Sequence, residues 1–202
     1  DAIETVPVTE GSSGTSLGVL KFGGDGKLNC LQRTAYGYNR WSQSAMRQWL
    51  NSDKGVGEWW TPQNDYDRCP DQLATKAGFL TGFDADFLEI LRPTKVVTAL
   101  NTVTDSTSSN SVEPLETTYD KIYLPALEQM SIEPELAGEG STWEYWKRAS
   151  NMTTKMKKWQ TYPQIRTFAI ENHTSPQYVR LRSANRGNSY NTWNVNSSGN
   201  VN

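Results

Sequence analysis

The residues best suited to a chemical task are the asparagines of the C-terminal segment 185–202. Seven of its positions carry Asn, a larger share than the packing of a core would select. Asn is uncommon in strands and common in turns and at contact surfaces, so the cluster predicts an exposed recognition surface. Ser189, Tyr190 and Trp193 lie among them, and such a mixture is typical of antibody binding loops. The segment also fits a polar surface loop without a ligand, because Asn is common in turns.

The spacing of these asparagines predicts a polar face on a pair of short strands. Successive side chains of a strand point to opposite sides, so Asn194 and Asn196 share a face opposite Val195. The Ser-Ser-Gly sequence at 197–199 predicts the turn between the strands, and the last three residues continue the alternation. Leu181, Val195 and Val201 are expected to point inward, with Trp193 on the apolar side or at the rim. The residues expected to be largely exposed are Asn185, Asn188, Tyr190, Asn191, Asn194, Asn196, Asn200 and Asn202.

Residues for catalysis are scarce. His173 is the single histidine and lies in a polar stretch, so we expect a solvated loop histidine. No nucleophile elbow, zinc-protease helix, phosphate-binding loop or dinucleotide fingerprint occurs. Cys30 and Cys69 are too far apart for a CxxC motif, and they either form a disulfide or remain free thiols. We therefore expect a protein that is not an enzyme and that needs no cofactor and no metal ion.

Composition narrows the class of partner. The chain has 202 residues and a net charge of -2, which disfavours a nucleic acid held through its phosphates. No apolar run approaches the roughly 20 residues that span a bilayer, so no membrane insertion is expected. The length fits one large domain or two small ones. Because the sequence starts at Asp1 without a Met, we expect it to be part of a longer protein.

The elements that must position the asparagines are short. The pattern predicts an α+β domain with two helices, short antiparallel strands and long loops. Residues 1–18 are rich in Gly, Ser and Thr and are expected to be an extended leading segment or linker. The helices are predicted after the caps Ser42 and Asp84. Strands are predicted at 19–22, 27–33, 95–104, 122–124 and 178–183. The helix-face residues expected to be buried are Trp41, Met46, Trp49, Leu50, Phe83, Phe87, Leu88 and Leu91.

Several longer segments occur in a fixed order along the chain and carry a resemblance. They include YGYNRWSQSAMRQWLNSD, WWTPQNDYDRCP, AGFLTGFDADFLEIL, YDKIYLP and VRLRSANRGNSYNTWNVNSSGNVN. Together they resemble a family of domains of unknown function found in gut bacteria and their phages. That family is similar to C-type-lectin-like domains, which share a scaffold with formylglycine-generating enzymes. The resemblance implies that residues 19–202 form a C-type-lectin-like domain that lacks the family's usual closing C-terminal strand.

The resemblance also implies a function. Members of the family include targets of diversity-generating retroelements, in which Asn codons near the C-terminus are mutated. The implied role is a ligand- or receptor-binding module on a virion or on a cell surface, recognising a protein or glycan of a target cell. A homo-oligomer is compatible with this role. The implied ligand-binding residues are Arg180, Arg182, Asn185, Arg186, Asn188, Ser189, Tyr190, Asn191, Trp193, Asn194, Asn196, Asn200 and Asn202.

Two other functions compete with this one, and a calcium site is also conceivable. One alternative is a structural or assembly protein of a virion, with no dedicated ligand site. The other is an enzyme of the formylglycine-generating type, which is disfavoured because its chemistry needs cysteines in the C-terminal half. The segments 133–135 and 192–196 resemble the oxygen ligands of calcium-dependent lectins. Val195 stands where an acidic ligand would be needed, so no calcium is expected.

Overall fold

The computed structural model describes residues 3–4, 16–22, 28–34, 40–62, 69–100, 115–150, 155–169, 172–186 and 192–202. Over these residues the fold is mixed α+β with short antiparallel strands, as the sequence predicts, but it contains four short α-helices and not two. The helices are α1 (Ala45–Leu50), α2 (Asp71–Ala74), α3 (Ala85–Ile90) and α4 (Glu144–Ser150). Single 3-10 turns are interspersed, among them Trp41–Gln43 and Glu128–Met130.

The first sheet contains three antiparallel strands, β1 (Ile3–Glu4), β2 (Ser16–Phe22) and β3 (Leu28–Thr34). The strands predicted at 19–22 and 27–33 are confirmed within three residues at each end, and they pair antiparallel, with Phe22 opposite Leu28. The leading segment 1–18 lies within the described residues only in part. Residues 3–4 form β1 and residues 16–18 begin β2, so the backbone groups of these residues pair within the sheet.

The second sheet pairs β4 (Thr94–Ala99) with β5 (Leu115–Asp120). The predicted strand at 95–104 is confirmed as far as Ala99, and residues 101–104 lie outside the described residues. The strand predicted at 122–124 is wrong. The side chain of Asn51 accepts from the N–H groups of Lys121 and Ile122 and donates to the carbonyl of Ile122. These backbone groups are therefore satisfied by an amide side chain and not by a strand partner.

Two more antiparallel pairs complete the strands. β6 (Thr167–Ala169) pairs with β7 (Asn172–Gln177), and β8 (Val179–Ala184) pairs with β9 (Thr192–Val195). His173 therefore lies in a strand, whereas the sequence suggested a loop. The predicted strand at 178–183 is confirmed within one residue at each end.

The two predicted helices form, but with different details. α1 is capped by Ser44, whose hydroxyl accepts from the N–H of Arg47, and not by Ser42. Ser42 instead donates from its N–H and its hydroxyl to the carboxylate of Glu116 on β5. α3 begins after Asp84 as predicted, although the Asp84 side chain makes no capping hydrogen bond. A contact distant in sequence thus decides which serine is the cap.

The helix faces are less buried than the sequence suggests. Trp41 and Leu50 are buried, as predicted. Met46, Trp49, Phe83, Leu88 and Leu91 are half-buried. The prediction for Phe87 is wrong, since 41 % of this residue is exposed and α3 buries none of its residues. The Phe87 ring stacks on the Phe83 ring, with ring centres 5.0 Å apart. The Phe83 ring therefore covers part of the apolar face of α3 at the surface.

The main core lies beneath the C-terminal strands. It contains Leu127, Met130, Ile132, Trp146, Met156, Tyr162, Ile165, Leu181, Trp193, Val195 and Val201. A smaller cluster of Trp41, Leu50 and Val96 lies under α1 and β4. Leu181, Val195 and Val201 are each no more than 1 % exposed, which confirms that these three residues point inward.

A buried arginine lies between these clusters. The guanidinium of Arg182, on β8, donates to the Thr98 hydroxyl, the Gln129 amide oxygen and the carbonyl groups of Val97, Leu124 and Glu139. The distances are 2.5–3.1 Å, and Arg182 is 1 % exposed. Burial lowers the pKa of Arg182, and the nearby charge of Glu139 acts in the opposite direction. Burial likewise raises the pKa of Glu139, whose carboxylate accepts from Ser183 and from the N–H of Ala99.

We predict that Arg182→Ala destabilises the protein by about 3–5 kcal/mol, because it leaves five buried acceptors without a donor and removes the positive charge near the buried Glu139 carboxylate. The exposed Arg180, two residues earlier, is the matched control, and Arg180→Ala should change the free energy of unfolding by less than about 0.5 kcal/mol. Urea unfolding of both variants measures the difference. Equal stabilities would show that the arginine network is not needed for the fold.

Candidate functional site

The C-terminal residues form a small sheet, here called the tail sheet, from β8, β9, Asn200–Asn202 and Trp159–Tyr162. Asn194 on β9 lies opposite Arg180 on β8. On its other side Asn194 exchanges two backbone hydrogen bonds with Asn202, of 2.7 and 2.9 Å. Asn200 in turn lies opposite Thr161. The predicted pair of short strands is therefore present, and an additional segment closes its far edge.

Opposed residues of neighbouring strands point to the same side of a sheet, so this register defines a polar face. The face, here called the Asn face, consists of Arg180, Asn194, Asn200, Asn202 and Thr161. The valine pair Val195 and Val201 lies on the opposite, buried side. The alternation argued from the sequence holds for these residues.

The asparagines of the tail are less exposed than predicted. Asn185, Asn194, Asn196, Asn200 and Asn202 are all half-buried, while Arg180 and Thr161 are exposed. Asn194 lies between Arg180 and Asn202, and Asn200 lies between Asn196 and Thr161, so side chains of the neighbouring strands cover part of these amides. The expectation of largely exposed side chains is thus corrected for the residues that the structure describes.

The amide oxygens of these asparagines differ in how many hydrogen bonds they accept. The Oδ1 atom of Asn196 accepts from the N–H groups of Ser198 and Asn200, at 3.0 and 2.9 Å, so this side chain holds the turn. The Oδ1 atoms of Asn194 and Asn200 are shielded from solvent and have no donor among the described residues. An unsatisfied buried acceptor costs about 1–3 kcal/mol. A ligand that brings hydrogen-bond donors to the Asn face would remove that cost once the amide side chains rotate outward to meet it.

Arg182 does not belong to the surface, and its predicted role is corrected. The pattern VRLRS suggested that Arg180 and Arg182 both frame the site, since they are two residues apart in a strand. A register shift between Arg180 and Ala184 interrupts the alternation and directs Arg182 into the core. All five of its N–H donors are used there, which leaves none for a ligand.

Trp193 is also internal, with 2 % of the residue exposed. Its indole N–H donates to Glu135, and the same carboxylate oxygen accepts from the backbone N–H of Arg186. Arg186 donates in addition from its guanidinium to the carbonyl of Leu100. Glu135, one of the acidic residues that suggested calcium ligands, therefore binds two protein N–H groups. Trp193 supports the tail sheet from below and does not face a ligand.

Four of the predicted site residues, Asn188, Ser189, Tyr190 and Asn191, lie outside the described residues. The two ends of that segment are placed. Arg186 and Trp193, on either side of it in the sequence, both donate hydrogen bonds to the Glu135 carboxylate.

Sequence reasoning missed Trp159, which lies at the edge of the tail sheet and is 67 % exposed. Its ring contacts that of Trp193, with centres 4.9 Å apart. The available signal was its setting in KMKKWQ, a tryptophan between lysines and a glutamine without an apolar period.

The described residues also form an open depression at the end of α3, away from the tail sheet. It is lined by Leu88, Glu89, Leu91, Arg92, Pro93 and Lys121. None of the predicted site residues lines it.

Across the described ranges, no three His, Cys, Asp or Glu side chains come together as metal ligands. No helix within those ranges is long and apolar enough to cross a membrane.

Cys69 carries a free thiol. Of the two states that the sequence left open for it, a disulfide or a free thiol, the structure therefore favours the free thiol. Burial and, to a smaller extent, the Asp71 carboxylate raise the pKa of the thiol. A raised pKa leaves less of the reactive thiolate at neutral pH. The side chain of Cys30 lies outside the described residues.

A domain of unknown function, DUF6273, matches residues 27–202 of the chain. The chain belongs to this family. The Asn face and the segment around Trp159 lie wholly inside the DUF6273 domain, together with β3 to β9. No curated protein and no solved structure matches the chain.

We predict that alanine substitutions of two asparagines of the tail have different effects on the free energy of unfolding. Asn196→Ala removes two hydrogen bonds to the turn and should cost about 1–3 kcal/mol. Asn200→Ala removes an unsatisfied acceptor and should cost less than about 0.5 kcal/mol or stabilise the protein. Thermal unfolding of the two variants tests this difference. An Asn200→Ala variant as unstable as Asn196→Ala would show that the Oδ1 of Asn200 has a structural partner.

Proposed function

We propose that the protein is a non-enzymatic ligand- or receptor-binding module of C-type-lectin-like type, displayed on a phage particle or on a cell surface. The Asn face is its recognition surface, and a protein or glycan of a target cell is its ligand. The observation that carries the proposal is the combination on one face of three half-buried amides with the exposed Arg180. Two of these amides have unsatisfied oxygens.

The way in which the face is supported favours recognition over a purely structural role. Its reverse side is an apolar core that includes Val195, Val201 and Leu181, so the backbone is held independently of the outward side chains. Exposed changes on a rigid sheet usually shift stability by less than about 0.5 kcal/mol. A surface of this kind tolerates variation in its side chains, which suits a retroelement-diversified binding protein.

The positive charge of Arg180 on the Asn face also indicates which chemical groups of a ligand the face suits. Arg180 has no carboxylate within salt-bridge distance among the described residues and is exposed next to Asn194. An unpaired arginine can donate to carboxylate, carbonyl or hydroxyl oxygens of a ligand. Together with the half-buried amides, whose side chains carry both N–H and C=O groups, it gives the face both donors and acceptors, as a polar protein or glycan epitope requires.

The test replaces Asn194, Asn200 and Asn202 together with Ser and measures binding of the labelled protein to a panel of intact gut bacteria by flow cytometry. The unchanged protein should stain at least one strain, and the triple variant should lose at least about tenfold in affinity, which is about 1.4 kcal/mol. Its melting temperature should stay within a few degrees of the original, because the substituted groups are not structural.

The matched control is Thr117→Ser with Tyr119→Ser on β5, since both residues are exposed and lie away from the tail sheet. This control should retain full staining. Equal staining by the triple variant and the original protein would refute the Asn face as the recognition surface, and so would unfolding of the triple variant.

A second candidate is an assembly protein of a virion, and one observation favours it. α3 presents Phe87 and Ile90 to solvent, with exposures of 41 % and 70 %, and such apolar side chains often mark contacts between proteins.

This candidate predicts that the protein self-associates through α3 and that Ile90→Asp abolishes the association, because a buried unpaired carboxylate is costly. Light scattering after size-exclusion chromatography measures the mass of both proteins. A monomer at concentrations of about 100 μM, already without substitution, would exclude stable self-assembly through this helix.

A further inference from the structure

Trp159 differs from every other tryptophan of the chain. All eight tryptophans lie within the described residues, and the other seven are buried or half-buried. Trp159 is 67 % exposed. Exposing so large an apolar ring forgoes the burial that normally stabilises it, so packing does not account for a tryptophan at this position.

The backbone at Trp159 has a strained conformation. Its φ angle is 61°, in the left-handed region that bulky residues rarely adopt. The surroundings hold it there, because the N–H of Trp159 donates to the carbonyl of Val201 at 2.8 Å. The hydroxyl of Tyr162 accepts from the N–H of Lys157 and donates to Gln160, which closes the turn around Trp159. Strain that is maintained in this way is concentrated at ligand sites.

The ring itself is held in a fixed orientation. It stands edge to face against Trp193, with an interplanar angle of 64°. Trp193 is fixed in turn by the hydrogen bond from its indole N–H to Glu135. A buried, hydrogen-bonded indole therefore supports an exposed one, and the exposed ring loses little freedom when a ligand stacks on it.

Polar residues of several kinds adjoin the two rings in space or in sequence. The Lys158 ammonium lies 5.3 Å from the centre of the Trp193 ring, and the carboxylate of the exposed Glu135 accepts from the Trp193 indole N–H. Lys157 and Gln160, within two residues of Trp159 in the chain, are also exposed. They offer donors and acceptors with mixed charge. An apolar ring bordered by such groups matches a pyranose sugar, which has an apolar C–H face and a rim of hydroxyl groups. A nucleobase could also stack, but the net charge of -2 disfavours a polyphosphate chain.

We propose that Trp159 is the stacking platform of a second binding site, which takes a neutral pyranose oligosaccharide at the edge of the tail sheet. The site uses Trp159, Lys158, Gln160 and Glu135, none of which belongs to the Asn face. It therefore does not depend on the recognition surface proposed above. The sugar ring lies on the exposed side of the indole, and its hydroxyl groups bond to the polar side chains around it.

The experiment titrates the protein with neutral hexasaccharides of α-1,4-glucose, β-1,4-glucose, N-acetylglucosamine, mannose and galactose, by isothermal calorimetry. At least one should bind, with a Kd between about 10 μM and 1 mM. Trp159→Gly should weaken that binding at least tenfold, and Trp159→Phe should retain it within about fivefold because a flat ring remains. Tyr145→Ala is the matched control, since Tyr145 is an equally exposed aromatic residue, 68 % exposed, and should leave the affinity unchanged.

Glycine adopts a positive φ without strain, so the melting temperature of Trp159→Gly should not fall, which separates loss of the site from loss of the fold. The Asn194, Asn200 and Asn202 triple variant should still bind the hexasaccharide. Absence of binding by every hexasaccharide at about 10 mM would overturn the proposal. Unchanged affinity in Trp159→Gly would overturn it too, as would loss of saccharide binding in the triple variant alone. Cell binding that Trp159→Gly abolishes, and that protease but not periodate treatment of the cells removes, would assign the ring to a protein partner instead.

Discussion

The burial of the Arg182 guanidinium is the constraint on which the rest of the C-terminal half depends. A charged group with five donors can leave water only if the protein supplies acceptors in matching positions. Those acceptors come from β4, from the segments around Leu124 and Gln129, and from Glu139. The network therefore joins β8 to elements that are 43 to 85 residues away in the chain. Ser183 extends it, because its hydroxyl accepts from the N–H of Leu127 and donates to Glu139.

The tail sheet is built outward from this fixed strand. β8 holds β9, β9 holds Asn200–Asn202, and that segment holds the turn around Trp159. The underside is closed by Trp193, Val195 and Val201, which are nearly inaccessible to solvent. The two sides of the sheet therefore have separate tasks. The inner side provides stability through packing, and the outer side and the edge are free to carry polar or aromatic groups that stability does not require.

This division explains why both proposed sites lie on surfaces. The Asn face offers amides and an arginine on a flat sheet, whereas the edge offers one strained indole supported by another. Each contains a feature that folding alone does not account for, namely unsatisfied amide oxygens in the first and a left-handed tryptophan in the second. Features of this kind persist when the surrounding structure holds them in place, and they are common at sites of recognition. Both lie within the DUF6273 domain, so they belong to the part of the chain that the family shares.

The sequence alone determined the features that depend on local periodicity. The alternation around Val195 and Val201, the strand at β8, the start of α3 after Asp84 and the mixed α+β class all follow from residues within a few positions of one another. Only the tertiary structure decided which of two similar residues takes which role. Arg180 and Arg182 have the same spacing and charge, but a register shift sends one to solvent and the other to the core. Ser42 bonds to Glu116 and does not cap α1 as predicted. Trp159 is exposed, although the other seven tryptophans are buried or half-buried. These outcomes rest on partners distant in the chain, whose positions no local pattern encodes.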